Sequence, residues 1–200
     1  MAEQFEGDET RFDAAVRAIG QAGGRDDEGL ALRRTSADCG GEDELLVDFG
    51  TDNKEEVLKT AEAQQPTGSS NIVNAVVEAV GDFRNEREFK GPRSTRRVLV
   101  FTSGQEECFE GDVAGKIEAE LEQAGVSASF TLIALKASAE DLRQLEELKR
   151  ALQSADAYVE TRAPDSAEEL EEAVGEINEG ADEAIEEGAE EKNAEETISG

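Results

Sequence analysis

The sequence predicts an α/β fold in which a mostly parallel central sheet, with an antiparallel hairpin strand at its edge, is covered by helices on both faces. Short apolar runs alternate along the chain with segments whose apolar residues recur at helical spacing. Such alternation is typical of a parallel sheet wrapped by helices. The apolar run at 98–101 has no polar alternation, which indicates a strand buried on both faces.

The first half of the chain is predicted to hold three helices and a hairpin. Apolar residues recur at helical spacing from Phe12, and the first helix ends in the glycine-rich segment 20–24. Two short strand candidates flank a turn rich in loop-forming residues, which predicts an antiparallel hairpin. Ser70 or Asn71 can cap the third helix. The predicted segments are a helix over 9–19, strands at 29–35 and 44–49, a helix over 53–64 and a helix over 72–83.

The second half alternates strands and helices up to an acidic tail. The predicted segments are strands at 97–102, 126–135 and 157–161, a helix that Gly125 closes, a helix over 139–153 and a helix starting near residue 165. Residues 178–200 repeat Glu, Ala and Gly with almost no apolar residues, so they cannot bury enough surface to offset their ordering entropy. We therefore expect one domain over 1–177 and an acidic, frayed or disordered tail over 178–200.

Composition narrows the range of partners. The chain of 200 residues carries a formal net charge of −29, from 49 acidic and 20 basic residues. Such a surface repels nucleic-acid phosphates and anionic membranes. The charge either keeps the protein soluble or is an adaptation to a high-salt habitat, where salt screens the repulsion between carboxylates. No stretch approaches the roughly 18 apolar residues of a membrane span, and residues 1–11 are polar and acidic, unlike a signal peptide. We therefore expect neither nucleic-acid binding nor membrane insertion.

The sequence offers little for catalysis. It contains no His, which excludes imidazole acid–base catalysis and His-ligated zinc. Ser69, Ser70 and Ser103 could act as nucleophiles only with a base beside them, and Lys or Asp would have to take that role. We therefore expect a protein that is not an enzyme.

The order of these elements and loops resembles a von Willebrand factor A (vWA) domain of the bacterial secreted or surface type. Three blocks carry the resemblance: "TRFDAAVRAI" as the first helix, "GLALRRTSADCGGEDELLVDF" as the edge hairpin, and the loop "PTGSSN" before a helix. The likeness extends from about residue 9 to residue 175. It implies a Rossmann-like vWA fold and a module that binds protein partners by an adhesion-type interaction.

The resemblance also implies a place for a divalent cation that prefers oxygen ligands, such as Mg²⁺ or Mn²⁺. In the family, an Asp-x-Ser-x-Ser loop, a Thr and an Asp hold this ion. Here Ser70 stands at the Thr position, Ser103 stands at the Asp position, and no Asp-x-Ser-x-Ser occurs in the chain. We therefore expect a degenerate metal site and no cofactor in this chain. The rim expected to face a protein partner comprises Thr67, Gly68, Ser69, Thr102, Gly104, Gln105 and Glu106.

The family's central first strand, which ends in the metal loop, has no counterpart in this sequence. It would lie between the strands at 29–35 and 97–102, so its absence leaves two apolar strand edges facing a gap. Three explanations stay open: the chain is a fragment or has a misassigned start, the two strands pair directly, or a partner completes a split domain. If the strand lies upstream of Met1, the domain is instead a Mg²⁺- or Mn²⁺-dependent adhesion module in which Ser70 supplies one of the hydroxyl ligands.

The resemblance further implies that the two cysteines, Cys39 and Cys108, lie on the same rim of the sheet. They form either a disulfide or two free thiols, and the resemblance favours the disulfide. The bond would close a loop over residues 40–107, worth roughly 4 kcal/mol in the chain-entropy model. It would also indicate an oxidising compartment, so we expect an extracellular or cell-surface protein.

Overall fold

The computed structural model describes residues 1–23, 28–35, 43–67, 71–84, 96–104, 108, 111–155 and 157–180. The helices and strands of these residues are, in order, β1 (Gln4–Glu6), β2 (Glu9–Thr10), α1 (Arg11–Gln21), β3 (Leu30–Arg34), β4 (Glu44–Gly50), α2 (Lys54–Glu62), α3 (Ile72–Asp82), β5 (Arg97–Thr102), α4 (Val113–Ala124), β6 (Ser129–Ala134), α5 (Ala139–Ser154), β7 (Tyr158–Arg162) and α6 over residues 167–180. The predicted alternation of strands and helices is confirmed.

Strands β5, β6 and β7 form a parallel sheet in that order. Val98 pairs with Phe130, and Phe130 pairs with Val159. Successive side chains of a strand point to opposite faces, and β6 accordingly divides its side chains between two buried clusters. Phe130 belongs to one cluster and Ile133 to the other. The parallel sheet predicted from the apolar run at 98–101 is therefore confirmed.

Helices cover both faces of this sheet. The cluster that contains Phe130 is built from apolar residues of α3, α4 and α5. The cluster that contains Ile133 is built from residues of α1 and α6. The structure therefore has three layers, helix–sheet–helix, and belongs to the α/β class with an arrangement consistent with a Rossmann-like fold.

Capping residues account for several helix ends. Thr10 and Asp13 form a reciprocal capping box at the start of α1. The Asp112 carboxylate accepts a hydrogen bond from the Gly115 N–H at the start of α4. Gly125 closes α4 as predicted, because its φ of 63° lies in the left-handed region that glycine adopts without strain.

The amino-terminal hairpin was not predicted. Strands β1 and β2 pair antiparallel over a turn in which Gly7 has a φ of 58°, whereas residues 1–11 are mainly polar and acidic. Phe5 anchors the hairpin, because its side chain is 1% exposed and packs in the cluster of α1 and α6. One buried aromatic residue between polar neighbours is too short a pattern to reveal a strand.

The hairpin of β3 and β4 forms a two-stranded antiparallel sheet of its own. We expected it to form the antiparallel edge of the central sheet, beside a gap left by the missing first strand. The gap is present, but among the described strands the hairpin does not join the central sheet. Strands β3 and β5 belong to separate sheets, so the explanation in which these two strands pair directly is wrong. A cavity, described below, lies between them.

The last described helix, α6, is tied to the end of α1. Asn178 of α6 makes the connection: its Oδ1 accepts from the Gly23 N–H at 3.2 Å, and its Nδ2 donates to the Gln21 carbonyl at 2.9 Å. The packed part of the chain therefore includes residue 178. The rest of the predicted tail, 181–200, lies outside the described residues. Among the described helices, none is long and apolar enough to cross a membrane.

Candidate functional site

An inter-strand cavity of about 1180 Å³ lies between β3 and β5. Every residue of β3 and every residue of β5 lines it. A cavity against one face of a strand would contact alternate residues only, so this cavity runs along the edges of the two strands. Its volume exceeds the roughly 300–1,000 Å³ of typical small-molecule sites. The predicted gap between two strand edges is therefore present in the structure.

Helices on both sides wall the inter-strand cavity with apolar side chains. Helix α1 packs on the face of the sheet that carries Ile133, and α3 packs on the face that carries Phe130. The cavity consequently lies in the sheet layer, between two helical layers. Its apolar wall residues on the helices include Phe12, Ala15, Val16 and Ile19 of α1 and Ile72, Ala75 and Ala79 of α3.

The backbone of β5 presents unpaired groups to the cavity. The Ser129 N–H donates to the Arg96 carbonyl at 2.9 Å, and the Leu135 N–H donates to the Thr102 carbonyl at 2.8 Å. These two bonds show that the even-numbered residues of β5 direct their backbone groups toward β6. Leu99 and Phe101 therefore direct theirs into the cavity, where the described residues provide no strand partner.

Charged side chains around the cavity are bound to other parts of the structure. Arg97 forms an ion pair with Glu28 at 2.6 Å, and its Nη1 donates to the Ile177 carbonyl at 3.0 Å. Arg33 forms ion pairs with Asp82 at 2.5 Å and with Glu78 at 3.2 Å. The hydrogen bond to Asp82 is the main cause that raises the pKa of Arg33 above its ordinary value. These arginines hold β3 and β5 to neighbouring helices and loops.

The carboxyl end of β5 forms a tight turn at the rim. The Thr102 Oγ1 accepts a hydrogen bond from the Gly104 N–H at 3.0 Å, and Thr102 is buried. Gly104 has a φ of 99°, and a Cβ built on it would lie 2.5 Å from the Asp141 Cβ. Asp141 cannot retreat easily, because it is buried in the capping box of α5 with Ser138. Glycine is therefore required at position 104.

The structure places two of the predicted rim residues, Thr67 and Thr102, on the inter-strand cavity, together with Ser103 of the predicted metal site. Gly104 follows directly. The hydroxyl that stabilises the turn belongs to Thr102. The other predicted rim residues lie outside the described residues; they are Gly68, Ser69, Gln105 and Glu106.

The predicted degenerate metal site can be described only in part. Ser103 lines the inter-strand cavity, whereas Ser70 lies outside the described residues. Within the described ranges, no group of three or more His, Cys, Asp or Glu side chains could hold a metal ion. The described side chains therefore do not supply the ligand set that the resemblance implies for Mg²⁺ or Mn²⁺.

The predicted disulfide stays a prediction. Cys108 is half-buried beyond the end of β5, and Cys39 lies outside the described residues. The geometry of a bond between them, and the oxidising compartment that it would indicate, are therefore not part of the described structure.

Two groups at the cavity were missed in the sequence. The first is the segment 1–3, which lines the cavity. The Met1 carbonyl accepts a hydrogen bond from the Phe12 N–H at 3.0 Å. Burial lowers the pKa of the Met1 amine. Lys136 also lines the cavity, with an unusual φ of 49°, and its Nζ donates to the Phe5 carbonyl at 2.8 Å. Neither residue lies in a recognisable motif, because both positions follow from long-range packing.

No protein-family model matches the chain, and a search of curated proteins gives no match. The vWA resemblance therefore stays a prediction. The α/β architecture and the inter-strand cavity stand on the structure alone.

Proposed function

We propose that this chain is a non-enzymatic protein-interaction module of the vWA adhesion type, with a degenerate metal site. One observation carries the proposal: the inter-strand cavity has apolar walls on α1 and α3, runs along two strand edges and reaches the rim at Thr102 and Ser103. Apolar side chains beside unpaired strand edges are typical of a protein-binding site.

The bonds of the charged groups support a binding role over a catalytic one. A general acid or base must be free to exchange a proton with a substrate. Arg33 and Arg97 are held in ion pairs, Asp141 caps α5, and the Lys136 ammonium is bound to the Phe5 carbonyl. Each of these groups therefore has a structural task at the cavity wall.

The proposed module works outside the cell or at its surface. This part of the proposal is supported by the vWA resemblance and by the predicted bond between Cys39 and Cys108, since disulfides persist in oxidising compartments. The strong negative charge supports a protein partner over a nucleic acid, because a charge of −29 repels phosphates.

Calorimetric titration with Mg²⁺ separates the degenerate module from the metal-dependent alternative. We expect weak, non-stoichiometric binding of the kind that an acidic surface shows. The variant Ser103→Asp should titrate in the same way, because one added carboxylate does not replace an Asp-x-Ser-x-Ser loop. A stoichiometric site of micromolar affinity in the unaltered chain would contradict the proposal and favour the Mg²⁺- or Mn²⁺-dependent adhesion module.

A further inference from the structure

We propose that the outer edge of β7 pairs with the same edge of a second copy of the chain, so that two parallel sheets join across a two-fold axis. Strand β7 is the last in the order β5-β6-β7, and among the described residues its only strand partner is β6. An unpaired strand edge is a template for pairing with another chain. This edge lies away from the inter-strand cavity, which borders β5 on the opposite side of the sheet, so the inference does not depend on the proposed function.

The backbone bonds to β6 show which groups of β7 point outward. The Lys136 N–H, just after β6, donates to the Pro164 carbonyl, just after β7, at 3.0 Å. Because the direction of the backbone groups alternates from one residue to the next in a strand, the even-numbered residues of β7 bond to β6. Val159 and Thr161 therefore direct their N–H and carbonyl groups away from β6, where the described residues provide no strand partner.

The sequence of β7 complements itself in one antiparallel register. A two-fold axis through Thr161 places Glu160 opposite Arg162 of the second copy, on both sides of the axis. Opposite charges directly across two strands stabilise their pairing, and like charges destabilise it. An axis moved by one residue, to Glu160, would instead set two carboxylates against each other. The charges of the strand therefore favour a second copy as the partner and Thr161 as the centre, and such a two-fold contact closes at a dimer.

Two buried polar atoms of β7 have no hydrogen-bond partner within the described part of the chain. They are the Thr161 Oγ1 and the Arg162 Nε, in side chains that are half-buried as a whole. A buried donor or acceptor without a partner costs free energy. In the proposed register the Thr161 hydroxyl lies beside its own copy, and Glu160 of the second copy lies beside the Arg162 guanidinium. The pairing therefore brings a polar group to each of these side chains.

Exposure and charge define the conditions for the dimer. Tyr158 is 65% exposed on this strand, and in the proposed register it lies opposite Pro164 of the second copy, which covers part of the ring. Against this, each copy carries a net charge of −29, so two copies repel each other at low ionic strength. Salt screens this repulsion, and the dimer should accordingly become tighter as the salt concentration rises.

Sedimentation equilibrium of the full chain tests the proposal. We expect a reversible monomer–dimer equilibrium whose dissociation constant falls at least about tenfold between low and molar KCl, because screening removes the repulsion between the copies. A chain that stays monomeric in molar KCl up to a concentration of about 1 mM would overturn the proposal. Assemblies larger than a dimer would also contradict it, because the two-fold contact leaves no further β7 edge.

A matched pair of variants locates the contact at the backbone of β7. Thr161→Pro removes the outward N–H and leaves the bonds to β6 in place, since proline is tolerated on an edge strand where the N–H faces solvent. Thr161→Val keeps the N–H and is the control. We expect the proline variant to dimerise at least about tenfold more weakly than the valine variant. Equal dimerisation of the two variants would place the interface elsewhere.

Reversed charges test the register. Glu160→Arg and Arg162→Glu each set like charges across the axis, so each variant alone should dimerise at least about tenfold more weakly than the unaltered chain. An equimolar mixture restores two opposite-charge pairs and should form a heterodimer. Each variant also loses an ion pair of its own, such as that of Arg162 with Glu176, but mixing does not repair that loss. Glu118→Arg, on an exposed position of α4, is the control and should dimerise like the unaltered chain.

Two results would overturn the register and its interface. Absence of a heterodimer in the mixture would contradict the pairing of Glu160 with Arg162 of the second copy. If a charge variant does not fold, the two Thr161 variants still decide whether β7 is the interface. The magnesium titration tests the proposed function on the same chain, so failure of one proposal can be distinguished from failure of the other.

Discussion

Replacing Phe5 with alanine is expected to lower the free energy of unfolding by about 3–5 kcal/mol. The Phe5 side chain is 1% exposed and packs against α1 and α6, so its removal leaves a void that the neighbouring residues can fill only in part. The Phe5 carbonyl, which accepts from Lys136, is retained in the variant. Urea unfolding measures the change as a shift of the midpoint at constant slope.

Phe12→Ala is the matched control for Phe5→Ala. Phe12 has the same side chain and also belongs to the amino-terminal part of the chain, but it is half-buried and lines the inter-strand cavity. A ring that faces a cavity has already lost the contacts on that side. We expect Phe12→Ala to cost less than half as much as Phe5→Ala. If the two variants lose equal free energies of unfolding, Phe12 is as closely packed as Phe5, and the position of Phe12 on the wall of the inter-strand cavity is contradicted.

Gly104→Ala is expected to lower the free energy of unfolding by about 2–4 kcal/mol. Two effects add at this position. The φ of 99° is strained for any residue with a Cβ, and that Cβ would lie 2.5 Å from the Asp141 Cβ and 3.2 Å from the Ala137 Cβ. Thermal or urea unfolding measures the loss.

Gly111→Ala separates the two effects at Gly104. Gly111 has a φ of 101°, close to that of Gly104, but no atom lies within 4 Å of a Cβ built there. It should therefore show the backbone strain alone, about 1–2 kcal/mol. The difference between the two variants is the steric term at the rim. If Gly111→Ala lowers the free energy of unfolding as much as Gly104→Ala does, the predicted clash between a Cβ at position 104 and Asp141 is contradicted.

The elements that could be predicted are those whose pattern is local. The apolar run at 98–101 indicates a strand without knowledge of its neighbours, although its residues are only half-buried because they line the inter-strand cavity. Gly125 marks the end of α4 by its own conformational freedom. The amino-terminal hairpin shows the limit of this reasoning. Its one anchor, Phe5, is buried only because α1 and α6 close over it, and α6 lies more than 150 residues further along the chain.

The candidate site could be predicted in outline only. A gap between the strands at 29–35 and 97–102 follows from the vWA resemblance, and the structure has a cavity there. The ion pairs at the cavity join residues that are far apart in the sequence. Arg33 meets Asp82, 49 positions further on, and Arg97 meets Glu28, 69 positions earlier. No spacing rule connects such residues, so their pairing emerges only when the chain is folded.

Residue-resolved amide hydrogen exchange in the free protein tests the open edge of β5 most directly. Val98 and Val100 direct their N–H groups to β6, whereas Leu99 and Phe101 direct theirs into the inter-strand cavity. The account predicts an alternation along β5, with Leu99 and Phe101 exchanging at least about a hundredfold faster than Val98 and Val100. Uniform protection of all four amides would contradict it, because the edge would then already be paired.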